Sequence, residues 1–509
     1  MHPWLYLIQA EHSKVPTVVV YQNDVSEPSS WGFLSETIAE TTAEDKDYKE
    51  WFKTSLDPTK LAQKQAEDPE GAPKSLAEVE KWYEDYLRKM YEYLAFKLGP
   101  DLSRTTWEAA KIEFIFSVPT TWPPNPTVEN FRRIVHKAGF GKHIYHSVTI
   151  GLTEAEAAAV HVSTEAPGIF RTGDILLVCD AGGGTTDLSV LRVASIEPSV
   201  SLEQLDVVFG ETIGSAAIDY EFEKLVYARL QEAHNTEALP ISPDDAAWEM
   251  MKSRDFQSVK CEFGSPDDTP FFSIGIPRIP LTYNNLACSI KNGEMTFARE
   301  DLQTMFDKQI SKLFSLIDTQ LMSLRTKLPS SNVSHIILSG GLGNSAYVQQ
   351  SLRARYGQTA SNPHSYIQVR IAPDPQLAVC KGLVTDRVQK LRTNRSVLGW
   401  RCCRASYGTL CKILYDKKDP SHAGKMTIKD PLNGKTYITD AIAWFVKKGE
   451  PVSIDQPLVH TFVKKIPPGD PRRAFPTCII TSDLNAEDLP IQVAAGKGQG
   501  ALQPVQWLC

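Results

Sequence analysis

The stretch Ile175–Val193, ILLVCDAGGGTTDLSVLRV, constrains this chain more than any other. It opens with an apolar run, Ile175 to Val178, bounded by Asp174 and Asp180, with the length and content of a buried strand. It closes with a second run, Leu188 to Val193, of partly alternating polarity. Between them lies Asp-Ala-Gly-Gly-Gly-Thr-Thr-Asp. The successive glycines Gly182, Gly183 and Gly184 are free to take positive φ and bring their N–H groups close to a ligand. Successive N–H groups in such a turn form a nest for an anion. Thr185 and Thr186 add hydroxyl donors. Asp180, at the strand end, suits a hard cation such as Mg2+, held largely through water. The plain alternative is a hairpin with a flexible glycine turn. The flanking Asp180, Thr185 and Asp187 favour a phosphate–metal site instead. Nothing here reads G-x-x-x-x-G-K-[ST], so the turn is not a P-loop.

At these residues the chain resembles a family. DAGGGTTD is similar to the second phosphate motif of the actin-like ATPases, in the form used by heat shock protein 70 chaperones (DLGGGTFD). The resemblance implies an α/β fold of the actin-like ATPase (ribonuclease H-like) kind, two-lobed, with ATP or ADP and Mg2+ held between the lobes. Further segments follow in the family's order. In Leu152–Val160, Glu154 matches the glutamate of an E-P-x-A-A-A segment, with Ala155 replacing the proline. Gly210-Glu-Thr-Ile-Gly-Ser resembles a glycine turn before a helix and contributes Gly214. Phe256-Gln-Ser-Val-Lys260 resembles the F-E-x-V-K of the helix that contacts adenosine; Lys260 matches and Gln257 replaces the glutamate.

Ile337 to Leu352 resembles the adenosine motif, with Gly340, Gly341 and Gly343. A dinucleotide fingerprint is the competing reading of those glycines, but it wants an acidic residue about 20 positions on. None occurs between Tyr347 and Pro373. Ala372-Pro-Asp374-Pro resembles the segment that ends the ATPase domain and places Asp374 one layer behind the ligand. By this resemblance Asp180 orients the metal, Glu154 a water and Thr185 the terminal phosphate. The glycines 182–184, Thr186, Gly214, Lys260, Gly340, Gly341, Gly343 and Asp374 complete the nucleotide contacts.

The resemblance also carries departures. In the family a D-x-G-T-T hairpin precedes the Val-Pro strand. Only thirteen residues precede Lys14 here, and none is glycine. The expectation is a missing first phosphate motif and weak Mg-dependent hydrolysis. A non-catalytic interaction module derived from the same fold is the alternative, with protein clients or partners. A sugar or small-molecule kinase of the same superfold would need a base that the chain does not display. Lys53 is read first as a solvated lysine; the family offers a second reading, a lysine near phosphate.

At 509 residues the chain exceeds one simple core, and two or more domains are expected. The net charge of −7, with no long basic run, argues against nucleic acid. No apolar run reaches about 18 residues, so no membrane span is expected. The N-terminus lacks a basic segment and a long apolar core, so it does not read as a signal peptide. Nine cysteines without a C-x-x-C pair indicate a reduced, cytoplasmic setting. Ser75–Leu98 is a strong helix opened by a Ser75/Glu78 capping box. Residues 40–74 read as loops and short helices. The expected division is an ATPase domain over 1–390, an independent β-rich appendage over 391–490 that stays clear of the nucleotide cleft, and an unassigned tail over 491–509 with disorder as one reading.

Overall fold

The computed structural model describes residues 14–22, 25–33, 35, 46–207, 209–266, 268–357, 367–431, 433–461, 463, 469, 477–493 and 503–507. The thirteen residues before Lys14, where the missing-motif expectation falls, lie outside them.

The first lobe holds two small sheets. β1 (Val18–Gln22) runs antiparallel between β2 (Ser30–Trp31) and β3 (Lys46–Glu50). β4 (Ile112–Val118) pairs in parallel with β5 (His146–Thr153). β3, KDYKE, was not legible as a strand. It is an edge strand, where charged side chains are tolerated and protect the open backbone. Four helices complete this lobe: α1 (Pro58–Glu67), α2 (Leu76–Leu98), α3 (Glu129–Lys137) and α4 (Glu154–Glu165).

α2 begins where expected, with the Ser75 hydroxyl accepting the Glu78 N–H at 3.3 Å. The Glu78 carboxylate accepts from Lys74 rather than Ser75, so the box is shifted by one residue. The tyrosines of α2 are packing residues. Tyr83 meets Phe52 at 5.3 Å and Tyr91 meets Phe140 at 5.0 Å, edge to face.

The second lobe is built on an eight-stranded sheet. β6 (Ile175–Ala181) lies between β13 (His335–Ser339), in parallel, and β7 (Thr186–Ser195), antiparallel. β14 (Gln368–Ile371) edges β13, and β8 (Ser201–Gln204) and β9 (Phe209–Glu211) extend β7. Both faces of β6 are covered, which is why it reads as a continuous apolar run. Ile175, Leu177 and Cys179 face one core. There they meet α5 (Ala216–Thr236), α6 (Pro243–Lys252), α7 (Arg254–Glu262), α8 (Arg299–Lys327) and α9 (Ala346–Tyr356). Leu176 and Val178 face a second core with α4 and α10 (Ala378–Thr393). α4 and α10 cross so closely that a Cβ on Gly382 would collide with the Ala157 carbonyl. A small sheet of β10 (Phe271–Gly275), β11 (Ile290–Lys291) and β12 (Glu294–Ala298) caps this lobe.

The region after Leu391 is rich in strands but is not an independent unit. β15 (Leu398–Cys402) pairs in parallel with β8, and β19 (Pro451–Ser453) pairs with β15, so both belong to the central sheet. Val397 and Leu398 are fully buried in the α4/α10 core. The remaining strands form a five-stranded sheet of β17 (Thr427–Lys429), β18 (Thr436–Val446), β16 (Ser406–Leu414), β20 (Thr477–Ser482) and β21 (Gln503–Trp507). β21 comes from the tail, which therefore contributes a paired strand. Short strand signals near a proposed boundary do not reveal which sheet each strand joins. That choice rests on partners distant in sequence.

Candidate functional site

The site is built where β6 and β13 end side by side, with Asp180 paired to Ser339. Carboxyl ends of parallel neighbours are where α/β sheets gather ligands. β6 and β7 form a hairpin closed by the Gly182 N–H donating to the Thr185 carbonyl at 2.9 Å. The first turn of α5 docks on this loop: Ser215 N–H reaches Gly182 O at 3.2 Å and Ala216 N–H reaches Gly183 O at 2.9 Å. Gly214 is required there, since a Cβ would enter the Gly183 peptide. These contacts use the loop carbonyls. Among the described residues no acceptor is bonded to the Gly183 or Gly184 N–H groups. None of Gly182, Gly183 or Gly184 has positive φ, contrary to expectation. The loop follows a tight hairpin in ordinary backbone conformations, and glycine serves there by leaving space.

The second glycine turn comes up against the first. Gly340 has φ +80°, and a Cβ on it would strike the Ala181 carbonyl and lie 2.9 Å from Asp180 Oδ1. Gly341 faces open space, and Gly343 makes ordinary contacts with Leu338 and Ala181. The Asp180–Asp187 loop and the Gly340–Gly343 turn thus lie against each other although far apart in sequence.

Carboxylates gather where the two turns meet. Asp180 is buried, and its Oδ1 has no hydrogen-bond partner among the described residues. Burial, then the nearby charge of Glu154, pushes its pKa up to about 6. Asp187 is fully buried and raised by the same two causes in the same order. It accepts the Thr120 N–H at 2.8 Å, the Thr120 hydroxyl, and the Thr185 hydroxyl at 3.2 Å. Glu154 opens α4, and Lys53 Nζ lies 2.5 Å from its Oε1. Burial works against the Lys53 charge, but the Glu154 carboxylate outweighs it and raises the lysine pKa. Lys53, read first as a solvated lysine, keeps more than a third of its side chain exposed and is in addition paired with Glu154. No local pattern announces a partner 101 residues away.

Other expected residues take different places. The Thr186 hydroxyl is buried and donates to Ile213 O at 2.9 Å, holding the turn before α5. It faces away from the meeting of the two turns because neighbours on a strand point to opposite faces. Lys260 Nζ lies 2.5 Å from Asp219 Oδ1, which Gln257 also contacts at 3.2 Å. The Asp374 carboxylate is exposed and paired with Lys381, which lowers its pKa. It is the next residue's carbonyl, Pro375 O, that accepts the Gly340 N–H at 3.0 Å. Two neighbours of the site carry no motif: Thr120, and Arg404, whose Nη2 donates to Thr120 O at 2.6 Å and Trp122 O at 2.5 Å.

No group of three or more His, Cys, Asp or Glu among the described residues is gathered closely enough to hold a metal by itself. Mg2+ does not require one, since it typically takes one or two carboxylates plus waters and phosphate oxygens. The unpartnered Asp180 Oδ1 fits that use. A cavity of about 660 Å3 opens beside the loop, lined by Thr54, Lys60, Lys64, Glu211 and Lys312 among others, but neither Asp180 nor Gly340 lines it. Among the described residues no helix is long and apolar enough to cross a membrane.

Residues 152–368 match the family model for Hsp70 protein, and residues 401–474 match a domain of unknown function, DUF8568. Heat shock 70 kDa protein 12A of Homo sapiens is 26% identical over 314 residues, which is 58% of this chain and 43% of that protein. Its Mus musculus counterpart is 25% identical over the same shares. The match thus spans less than half the length of these relatives. The chain is also similar to the crystal structure of MreB5 of Spiroplasma citri bound to ADP, with a TM-score of 0.47 and 14% identity, covering 74% of this chain and 91% of that one. The matched segment carries Glu154, the Asp180–Asp187 hairpin and the Gly340–Gly343 turn, and over residues 152–368 the chain is thus similar to the Hsp70 family.

Proposed function

We propose that this chain binds ATP or ADP with Mg2+ between its lobes and hydrolyses ATP slowly. The observation that carries the reading is the meeting of two glycine turns around a buried Asp180 whose Oδ1 has no hydrogen-bond partner among the described residues. In this reading the Gly183 and Gly184 amides and the Thr185 hydroxyl face phosphate oxygens, and the start of α5 adds the positive end of its dipole. Asp180 would hold Mg2+, which supplies charge neutralisation on the phosphates. Gly340, Gly341 and Gly343 leave room for the nucleoside, with Lys260 on its far side.

Slow turnover follows from Glu154. A carboxylate held by a lysine at 2.5 Å is restricted in where it can reach as a water-positioning group. The same pairing supports the second reading, a non-catalytic interaction module. Lys53–Glu154 and Lys260–Asp219 neutralise two of the site's charged groups within the protein. Calorimetric titration of the full chain with ADP and ATP, with and without Mg2+, tests the first reading. Binding that weakens at least about tenfold without Mg2+, and again in Asp180→Asn, is the expected result. No heat of binding under either condition sinks it, and binding without any phosphate release favours the second.

A further inference from the structure

The region 401–474 puts two arginines into the framework of the site. Arg401 Nε and Nη2 hold Glu156 Oε1 and Oε2 at 3.0 and 2.7 Å. Glu156 is buried, and its Oε2 also accepts the Thr153 N–H at 2.8 Å. Arg401 therefore secures the first turn of α4, two residues from Glu154. Arg404 bridges the carbonyls of Thr120 and Trp122, in the turn that follows β4 of the first lobe. Strand β15, which carries Arg401 and leads into Arg404, is anchored on the second lobe. β15 runs along β8, and the Cys402 N–H donates to Gln204 Oε1 at 2.7 Å.

Burial disfavours the Arg404 charge and lowers its pKa, with Glu156 opposing that shift. Its hydrogen-bond partners are neutral carbonyls, so an apolar side chain of similar size would fill the space without the desolvation cost. The bond geometry has a direct consequence at the site. Thr120, whose carbonyl Arg404 holds, is the residue whose N–H and hydroxyl hold Asp187.

We propose that Arg404 is a positioning residue: by clamping the Thr120–Trp122 turn it holds Asp187 in place beside the glycine loop, so that the region 401–474 braces the nucleotide site from across the lobes. The catalytic part of this inference rests on the nucleotide reading above; the clamp itself does not. Two measurements on the full chain separate them. In hydrogen exchange without nucleotide, Arg404→Ala should speed exchange in residues 118–123 by roughly tenfold or more while the core of β6 and β13 stays protected. In steady-state ATP hydrolysis the same change should lower kcat by roughly tenfold with KM within about twofold, the signature of lost positioning rather than lost binding. In a Thr120→Val background, which removes the hydroxyl bond to Asp187 and keeps the backbone N–H bond, Arg404→Ala should lower kcat less than in wild type, because part of the contact it supports is already gone.

Unchanged exchange over 118–123 overturns the clamp. Exchange raised evenly over the whole chain overturns it too, since that marks general damage. If wild type binds no nucleotide, the functional reading falls, and the exchange result still decides the clamp. If Arg404→Ala does not fold, Arg404→Lys replaces it. One ammonium serving two carbonyls should give exchange between wild type and full loss, and wild-type exchange in that variant counts against the proposal.

Discussion

Asp180 is a buried carboxylate left without a partner on one oxygen, an arrangement that costs stability unless a ligand completes it. In the absence of nucleotide, Asp180→Asn should therefore unfold at an equal or higher urea concentration than wild type, with a gain of up to about 1–2 kcal/mol. The same variant should lose Mg-dependent nucleotide affinity. A marked loss of stability instead would mean that the carboxylate is structural. His335 makes the opposite kind of prediction. It is buried at the start of β13, with Nε2 3.4 Å from Asp174 and Nδ1 accepting from Arg370 at 3.3 Å. Burial lowers its pKa, and the neighbouring Asp174 only partly opposes that. The unfolded chain then takes up a proton more readily than the folded one. The His335 contribution is complete above the ordinary histidine range, about 6.5, and is lost as pH falls below it. Urea unfolding from pH 7.5 to pH 5.5 should show a shallower decline for His335→Gln than for wild type.

At the scale of elements, patterns with a single cause were legible. α2 follows from its cap and apolar spacing, and β6 from an apolar run of the right length. β3 was not, because an edge strand with alternating charges lacks the apolar signal. The α4/α10 crossing is where a small residue has the largest effect. Gly382→Ala would drive a Cβ into the Ala157 carbonyl, which neither helix backbone can avoid without separating. The expected cost is about 1–3 kcal/mol, read as a lower unfolding midpoint in urea. Gly99→Ala, which meets nothing within 4 Å, is the matched control and should change the midpoint little.

For the whole molecule, the consequence of β15 and β19 joining the central sheet is that the chain cannot be divided near residue 391. A fragment ending at Thr393 would leave β8 as an open edge and remove Val397 and Leu398 from the α4/α10 core. It should be aggregation-prone, or unfold with low cooperativity, whereas a fragment ending at Ser453 keeps both strands of the sheet. Comparing the two by size-exclusion chromatography and thermal unfolding checks this. Equal behaviour would restore the independent appendage.

Local sequence was enough for the hairpin of Ile175–Val193, the helix starting at Glu154 and the strand–turn–helix of His335–Tyr356, because each is set by contacts within a few residues. Family order along the chain was enough to bring their glycines and carboxylates together. Tertiary structure alone decided which charges meet there. Lys53 with Glu154, Thr120 with Asp187 and Arg404 with Thr120 pair residues 101, 67 and 284 positions apart. It also turned Thr186 inward, left the Asp374 carboxylate outside, and joined the C-terminal strands to the central sheet. Periodicity reports which face of an element is buried, not which distant element covers it. An ion pair or a sheet edge is specified by two segments at once, and neither segment carries a mark of the other.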